Sequence, residues 1–181
     1  MKIVQIAIGA VPPVLQYMMK KWEQYGYEYQ IITELPEEYQ QYGPRIGSDY
    51  LRMDILATEP DILYVDWDTE PKEEIDFSDI PMFFTQKQNP LWWYEGIDSC
   101  MYNGLDTALF AEARQYLRPV EGSIVYAIRR ALKHRFYAHI VTLPQEENAL
   151  ITFEEWVKNG SGITIDNQSV NHIHYTGGNY E

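Results

Sequence analysis

Asp66 and Asp68 follow directly on four apolar residues, Ile62-Leu63-Tyr64-Val65, with Trp67 between them. A strand turns successive side chains to opposite faces, so the two carboxylates are expected to project together while Trp67 points back into the protein. Two hard oxygen donors at a strand end suit Mg²⁺ or Mn²⁺ carrying a phosphate-bearing substrate, because these cations prefer carboxylate oxygen and leave other positions to phosphate or water. Open α/β sheets bind ligands beyond the carboxyl ends of their strands, where this pair stands. An acidic chain also produces Asp-x-Asp by chance, so these residues alone leave a metal site and a solvated loop both open.

Asp49 and Arg52 stand three apart and share a helical face, a spacing that by itself reads as an ordinary intrahelical salt bridge. Trp92, Trp93 and Tyr94 offer flat apolar faces with polar edges, which suit sugars and also fill cores. Cys100 is the single cysteine and reads as a small buried hydrophobe, and His134 and His139 read as structural. The chain has no Gly-x-x-x-x-Gly-Lys-Ser/Thr loop, no Gly-x-Gly-x-x-Gly and no His-Glu-x-x-His.

The elements that must hold these residues begin with a strand over Ile3 to Ile8, then a helix from Val14 to Tyr25 opened by Pro12-Pro13, with Leu15, Met18, Met19 and Trp22 as its buried stripe. A second strand spans Tyr27 to Ile32, and strand, helix, strand is the start of an α/β sheet. The polar stretch from Glu34 to Gly47 reads as a surface loop, after which Ser48 caps a helix through Ala57 with Asp49 in its first turn. Further strands are expected over Asp61 to Val65, Pro81 to Phe84 and Tyr137 to Leu143, with helices over Leu105 to Leu117, Ile124 to Leu132 and Phe153 to Val157. Thr69 to Asp79 reads as a loop, Asn89 to Gly96 as an aromatic loop or edge, and Asn103-Gly104 as a turn. The segment 159–181 lacks periodicity, but its two histidines and its apolar and aromatic side chains point to a tail that docks.

Length and charge bound the rest. The 181 residues suffice for one domain with a real core, and 14 basic against 27 acidic residues, a formal charge of −13, disfavour nucleic acid and anionic membrane as partners. No apolar run approaches the roughly 20 residues of a bilayer span. The first residues read as a strand rather than a signal peptide and no internal disulfide is possible, so a cytoplasmic location is expected.

Two stretches, Gly47-Ser48-Asp49-Tyr50-Leu51-Arg52-Met53-Asp54-Ile55-Leu56 and Leu63-Tyr64-Val65-Asp66-Trp67-Asp68, together resemble the sugar-binding region of DXD-motif glycosyltransferases, which reads Ser-Asp-x-x-Arg-x-x-Ile-Leu and then Ile-Tyr-x-Asp-x-Asp. That family includes the initiation-type mannosyltransferases and capsular polysaccharide transferases. The likeness is good over Ser48 to Asp68 and faint elsewhere, with an echo of the family's ending in His174-Tyr175-Thr176-Gly177-Gly178-Asn179-Tyr180. Where the family has Gly-Gly before its Ile-Tyr, this chain has Asp61-Ile62, and the family's Trp after the first strand is absent.

The resemblance implies a single-domain, Rossmann-like α/β fold of the glycosyltransferase A type, with a nucleotide-sugar half over 1–70, a short acceptor half over 71–158 and a closing tail over 159–181. It implies transfer of a sugar from a UDP- or GDP-linked donor to an unknown acceptor, with retention of configuration. Asp66 and Asp68, with His174 or its neighbour His172, would hold Mn²⁺ or Mg²⁺, and Arg52 would complete the catalytic set. Ile6, Ala7, Ile8, Ser48, Asp49, Arg52, Tyr64, Asn179 and Tyr180 would contact the donor. Trp92, Trp93, Asn103 and Asp106 are acceptor candidates. The other readings of the same scaffold are a sugar- or nucleotide-binding module without turnover and a nucleotide-sugar hydrolase.

Overall fold

The computed structural model describes residues 1–9, 12–67, 69–71, 82–87, 96–120, 123–134, 140–144 and 172–174. In chain order the elements are β1 (Lys2–Ile6), α1 (Pro12–Glu23), β2 (Glu28–Ile32), α2 (Glu37–Gln40), α3 (Gly43–Thr58), β3 (Ile62–Val65), β4 (Thr69–Pro71), β5 (Met82–Lys87), β6 (Gly96–Tyr102), α4 (Ala108–Arg114), α5 (Ser123–His134), β7 (Ile140–Pro144) and β8 (His172–His174). Among the described residues six strands form one mixed sheet in the order β2-β1-β3-β6-β5-β7, and β4 pairs with β8 in a second, two-stranded sheet. β1 lies parallel to both β2 and β3, and β6 runs antiparallel between β3 and β5.

Alternation along the strands divides the core. Val4 and Ile6 of β1 join Ile62 and Tyr64 of β3 against Leu51, Met53 and Leu56 of α3 and the buried faces of α4 and α5. Ile3, Leu63 and Val65 turn the other way and pack with Trp22 of α1 and Tyr102 of β6. Every residue of β3 is buried, as expected of a central strand covered on both faces.

Three elements differ from the sequence reading. The stretch from Glu34 to Gly47 is not a loop: α2 occupies part of it, and α3 begins at Gly43, with Pro44 in its first turn where a missing N–H costs nothing. Ser48 is therefore inside the helix rather than its cap, and its Oγ donates to the Pro44 carbonyl at 2.6 Å. Packing sets this earlier start, since a Cβ on Gly47 would lie 2.6 Å from Leu35 Cδ1 and 2.9 Å from the Tyr39 carbonyl, so α2 and α3 meet at a residue without a side chain. Thr69 to Pro71, read as loop, is β4. β6 had no counterpart in the reading, because Asp98, Ser99 and Cys100 carry little strand propensity and are fixed by pairing on both sides. The helix expected over Phe153 to Val157 and residues 89–95 of the loop expected over Asn89 to Gly96 lie outside the described residues.

The turn into β3 shows what replaces the missing glycines. Asp61 adopts φ 60°, a left-handed conformation that Asp tolerates better than most residues. Its carboxylate receives the Met1 ammonium at 2.5 Å and the Tyr102 hydroxyl at 2.7 Å. Asn103, fully buried, closes the same region: its side-chain carbonyl accepts from Ile62 N at 2.8 Å, and its amide donates to the Leu56 and Glu59 carbonyls at 2.9 and 2.6 Å.

Candidate functional site

α3 presents two working faces. Arg45, Ser48, Asp49 and Arg52 recur at helical spacing on the side toward the end of β3, while Tyr50 and Asp54 face α4. Arg52 is the centre of the first face. Its guanidinium pairs closely with Asp49, reaches Asp66 Oδ1 at 3.3 Å and lies over the Tyr64 ring, 4.6 Å from the centroid. Tyr64, in β3, thus also faces α3, and its hydroxyl donates to the same Asp66 Oδ1 at 2.8 Å.

Burial opposes charge on the guanidinium, but the neighbouring Tyr64, Asp49 and Asp66 outweigh it and hold Arg52 above the ordinary arginine range. Burial also pushes the Tyr64 phenol far up, with Arg52 opposing and Asp66 reinforcing the rise, so Tyr64 stays a neutral donor to Asp66. The Arg52 Nε is buried without a hydrogen-bond partner among the described residues.

A glutamine that the sequence reading passed over fixes the main chain here. Gln5, buried in β1, donates to the Asp66 carbonyl at 2.9 Å and accepts a close hydrogen bond from the Tyr29 hydroxyl of β2. Asp66 is thus held by its carbonyl from one side and its carboxylate from the other. The only available signal was a polar residue inside the apolar run Ile3-Val4-Gln5-Ile6.

Beyond the carboxyl ends of β1 and β3 opens a cavity of about 390 Å³, lined by Ile6, Ile8, Pro44, Arg45, Ser48, Tyr64, Asp66 and Trp67. Ligands of open α/β sheets bind in this position. Pro44 and Arg45 were not anticipated, since the reading had them in a loop. Trp67 faces the cavity rather than the interior because β3 ends at Val65 and strand alternation no longer governs the next two residues.

The remaining candidates divide. Asp49 and Arg52 stand behind Tyr64 and Asp66 and are not part of the cavity wall. Ala7 is buried, and its N–H already donates to the Ile32 carbonyl at 2.8 Å. The structure uses Asn103 to join α3 to β3, not to face an acceptor, and the exposed Asp106 accepts from Ala108 N at 2.9 Å at the start of α4. Asp68, Trp92, Trp93, Asn179 and Tyr180 lie outside the described residues.

A carboxylate oxygen at this position suits a hard divalent cation. Asp66 supplies a carboxylate at the cavity, and the antiparallel register of β4 with β8 sets His174 opposite Thr69, the residue after Asp68. Among the described residues no three potential ligands cluster.

No family profile and no curated protein matches this sequence. Solved structures do match. A glycosyltransferase involved in glycosylation of the major capsid of PBCV-1 superposes with a TM-score of 0.54 at 9% identity, over 96% of this chain and 92% of that one. The galactosyltransferase LgtC, in complex with donor and acceptor sugar analogues, superposes with a TM-score of 0.50 at 14% identity, over 98% of this chain and 87% of its own. Both likenesses span nearly the whole chain, and the protein therefore has the glycosyltransferase A-type fold.

Proposed function

We propose that this protein is a metal-dependent glycosyltransferase that takes a sugar from a UDP- or GDP-linked donor. The observation that carries this reading is the cavity beyond β1 and β3, which gathers Ile6, Ile8, Ser48, Tyr64 and Asp66 in one place. Its apolar wall of Ile6 and Ile8 suits a base, and Trp67 adds a flat face beside Asp66. Asp66, Asp68 and His174 would hold Mn²⁺ or Mg²⁺, which supplies stabilisation of the charge that develops on a departing nucleoside diphosphate.

The chain's own groups prepare that position. Gln5 fixes the Asp66 main chain, and Tyr64 and Arg52 orient its carboxylate. Arg52 is then a positioning residue, and Asp49 anchors Arg52. Asn179 and Tyr180 would cover the diphosphate and exclude water, Trp92 and Trp93 would meet the acceptor, and the sugar would be transferred with retention; these follow the family resemblance.

The test is melting temperature against a panel of UDP- and GDP-sugars, with and without Mn²⁺, for the wild type and Asp68→Ala. A donor at about 100 times its dissociation constant stabilises the fold by roughly 2.7 kcal/mol, a rise of about 5–10 °C for a domain of this size. A rise that needs both metal and nucleotide and vanishes in the variant is expected. No rise with any donor sinks the proposal.

A further inference from the structure

The charge of this molecule is strongly segregated. Segment 113–144 carries six of the 14 basic residues and one of the 27 acidic ones. Its described face bears a ladder of alternating aromatic and cationic side chains. The Arg118 guanidinium lies 5.4 Å from the Tyr126 ring centroid, Arg130 Nη1 donates to the Tyr126 hydroxyl at 2.9 Å, and the same Arg130 lies 4.6 Å from the centroid of Tyr116. Arg118, Tyr126 and Arg130 are exposed, and among the described residues no carboxylate pairs with either arginine. Stacking occupies the face of a guanidinium and leaves edge donors in a fixed plane, the geometry that binds carboxylate and phosphate two bonds at a time.

The ladder stands toward the cavity end of the molecule. α4 runs antiparallel to α3: Arg114 meets Asp54, while the carbonyl of Leu117, three residues past the end of α4, accepts from the Tyr50 hydroxyl at 3.5 Å. Tyr50 is two residues from Ser48 in the cavity wall, about 3 Å along the helix axis. Arg118 is held there by its own N–H, which donates to Ser123 Oγ at 2.6 Å and ties the end of α4 to the start of α5.

We propose that this cationic face of α4 and α5 binds an acidic glycan chain and is the acceptor-recognition surface of the enzyme, an inference that rests on the transferase reading above. Pre-set guanidiniums spend little conformational entropy on binding, and they attract a carboxylated or phosphorylated sugar polymer to a molecule whose overall charge would repel it. A bilayer is less suited, because Tyr126 is held among the guanidiniums and cannot act as an apolar wedge.

The test is affinity electrophoresis through gels containing polygalacturonate, phosphomannan or neutral dextran, with sedimentation on phosphatidylglycerol vesicles alongside. The wild type is compared with a double variant, Arg118→Gln with Arg130→Gln. Retardation by an acidic polymer but not by dextran, weakened about tenfold or more in the variant at unchanged melting temperature, is expected from loss of two charge-assisted donors. Binding to neither acidic polymer, equal binding by the variant, or binding only to vesicles overturns the proposal. Donor-dependent melting shifts recorded on the same samples separate the two readings. Their absence in the wild type removes the transferase assignment, and with it the acceptor role, whereas their persistence in the variant locates the defect at the acceptor surface.

Discussion

Removing the Arg52 guanidinium leaves the Asp49 and Asp66 carboxylates without the cation that both contact. Their side chains are 12% and 25% exposed, so water compensates little of the loss. Arg52→Met is expected to cost about 3 kcal/mol, because breaking a buried pair strands charge. That corresponds to a melting temperature lower by about 6–12 °C, measured by thermal denaturation at neutral pH. A change under about 2 °C would show that the cluster is solvated and contributes little. The Asp49–Arg52 pair was legible from spacing alone, whereas its extension to Asp66 and Tyr64 required α3 to lie on β3. Gln5 was illegible for a related reason. A glutamine in a strand suggests a solvent-facing position, and only the neighbours supplied by β2 and by the residue after β3 make it a buried tie.

The turn between α3 and β3 is where two elements depend on single side chains. Asn103→Ala strands the Ile62 N–H and two helix-end carbonyls in a buried setting, and we expect a loss of about 3 kcal/mol, read as a shift in denaturant midpoint at unchanged slope. An unchanged midpoint would mean that water replaces all three bonds. Asp61 makes a pH prediction. Burial would raise its carboxyl, but hydrogen bonds from the terminal ammonium and Tyr102 lower it below the usual aspartate range. A depressed folded-state pKa contributes stability above the unfolded value of about 3.9, and that contribution is lost as pH falls through the folded value. Asp61→Asn keeps the tolerance for left-handed backbone and removes the charge, so its melting temperature is expected to fall less than that of the wild type between pH 5 and pH 3. Parallel acid limbs for the two proteins would refute this. The sequence marked this turn as unusual through its missing glycines but could not show that Asp61 takes over their φ. At α3, the Ser48-Asp49 pair imitated a helix start, and contacts from Leu35 and Tyr39 to Gly47 carried the helix further back.

At the scale of the whole molecule, the order strand, helix, strand and the paired motifs announced an α/β sheet, because both signals are local. The position of β6 did not follow from them, since it depends on residues 96–102 finding partners more than thirty positions earlier in the chain. The surface between α4 and α5 was equally hidden: the basic residues were visible as a count, but their stacking on Tyr116 and Tyr126 belongs to the folded helices.

The placing of β6 also bears on biosynthesis. Until residues 96–102 arrive, β3 has a neighbour only in β1, and Ile62 to Val65 presents an open hydrogen-bonding edge. A ribosome adding about 5–20 residues per second leaves that edge bare for seconds, a window in which apolar strands seek partners on other chains. Residues 1–70, the proposed donor half, are accordingly expected to aggregate when expressed alone, and a soluble, nucleotide-binding fragment in size-exclusion chromatography would contradict this. The carboxylate that faces the cavity thus follows directly on a strand that the second half of the chain must shelter before the first half can be said to be finished.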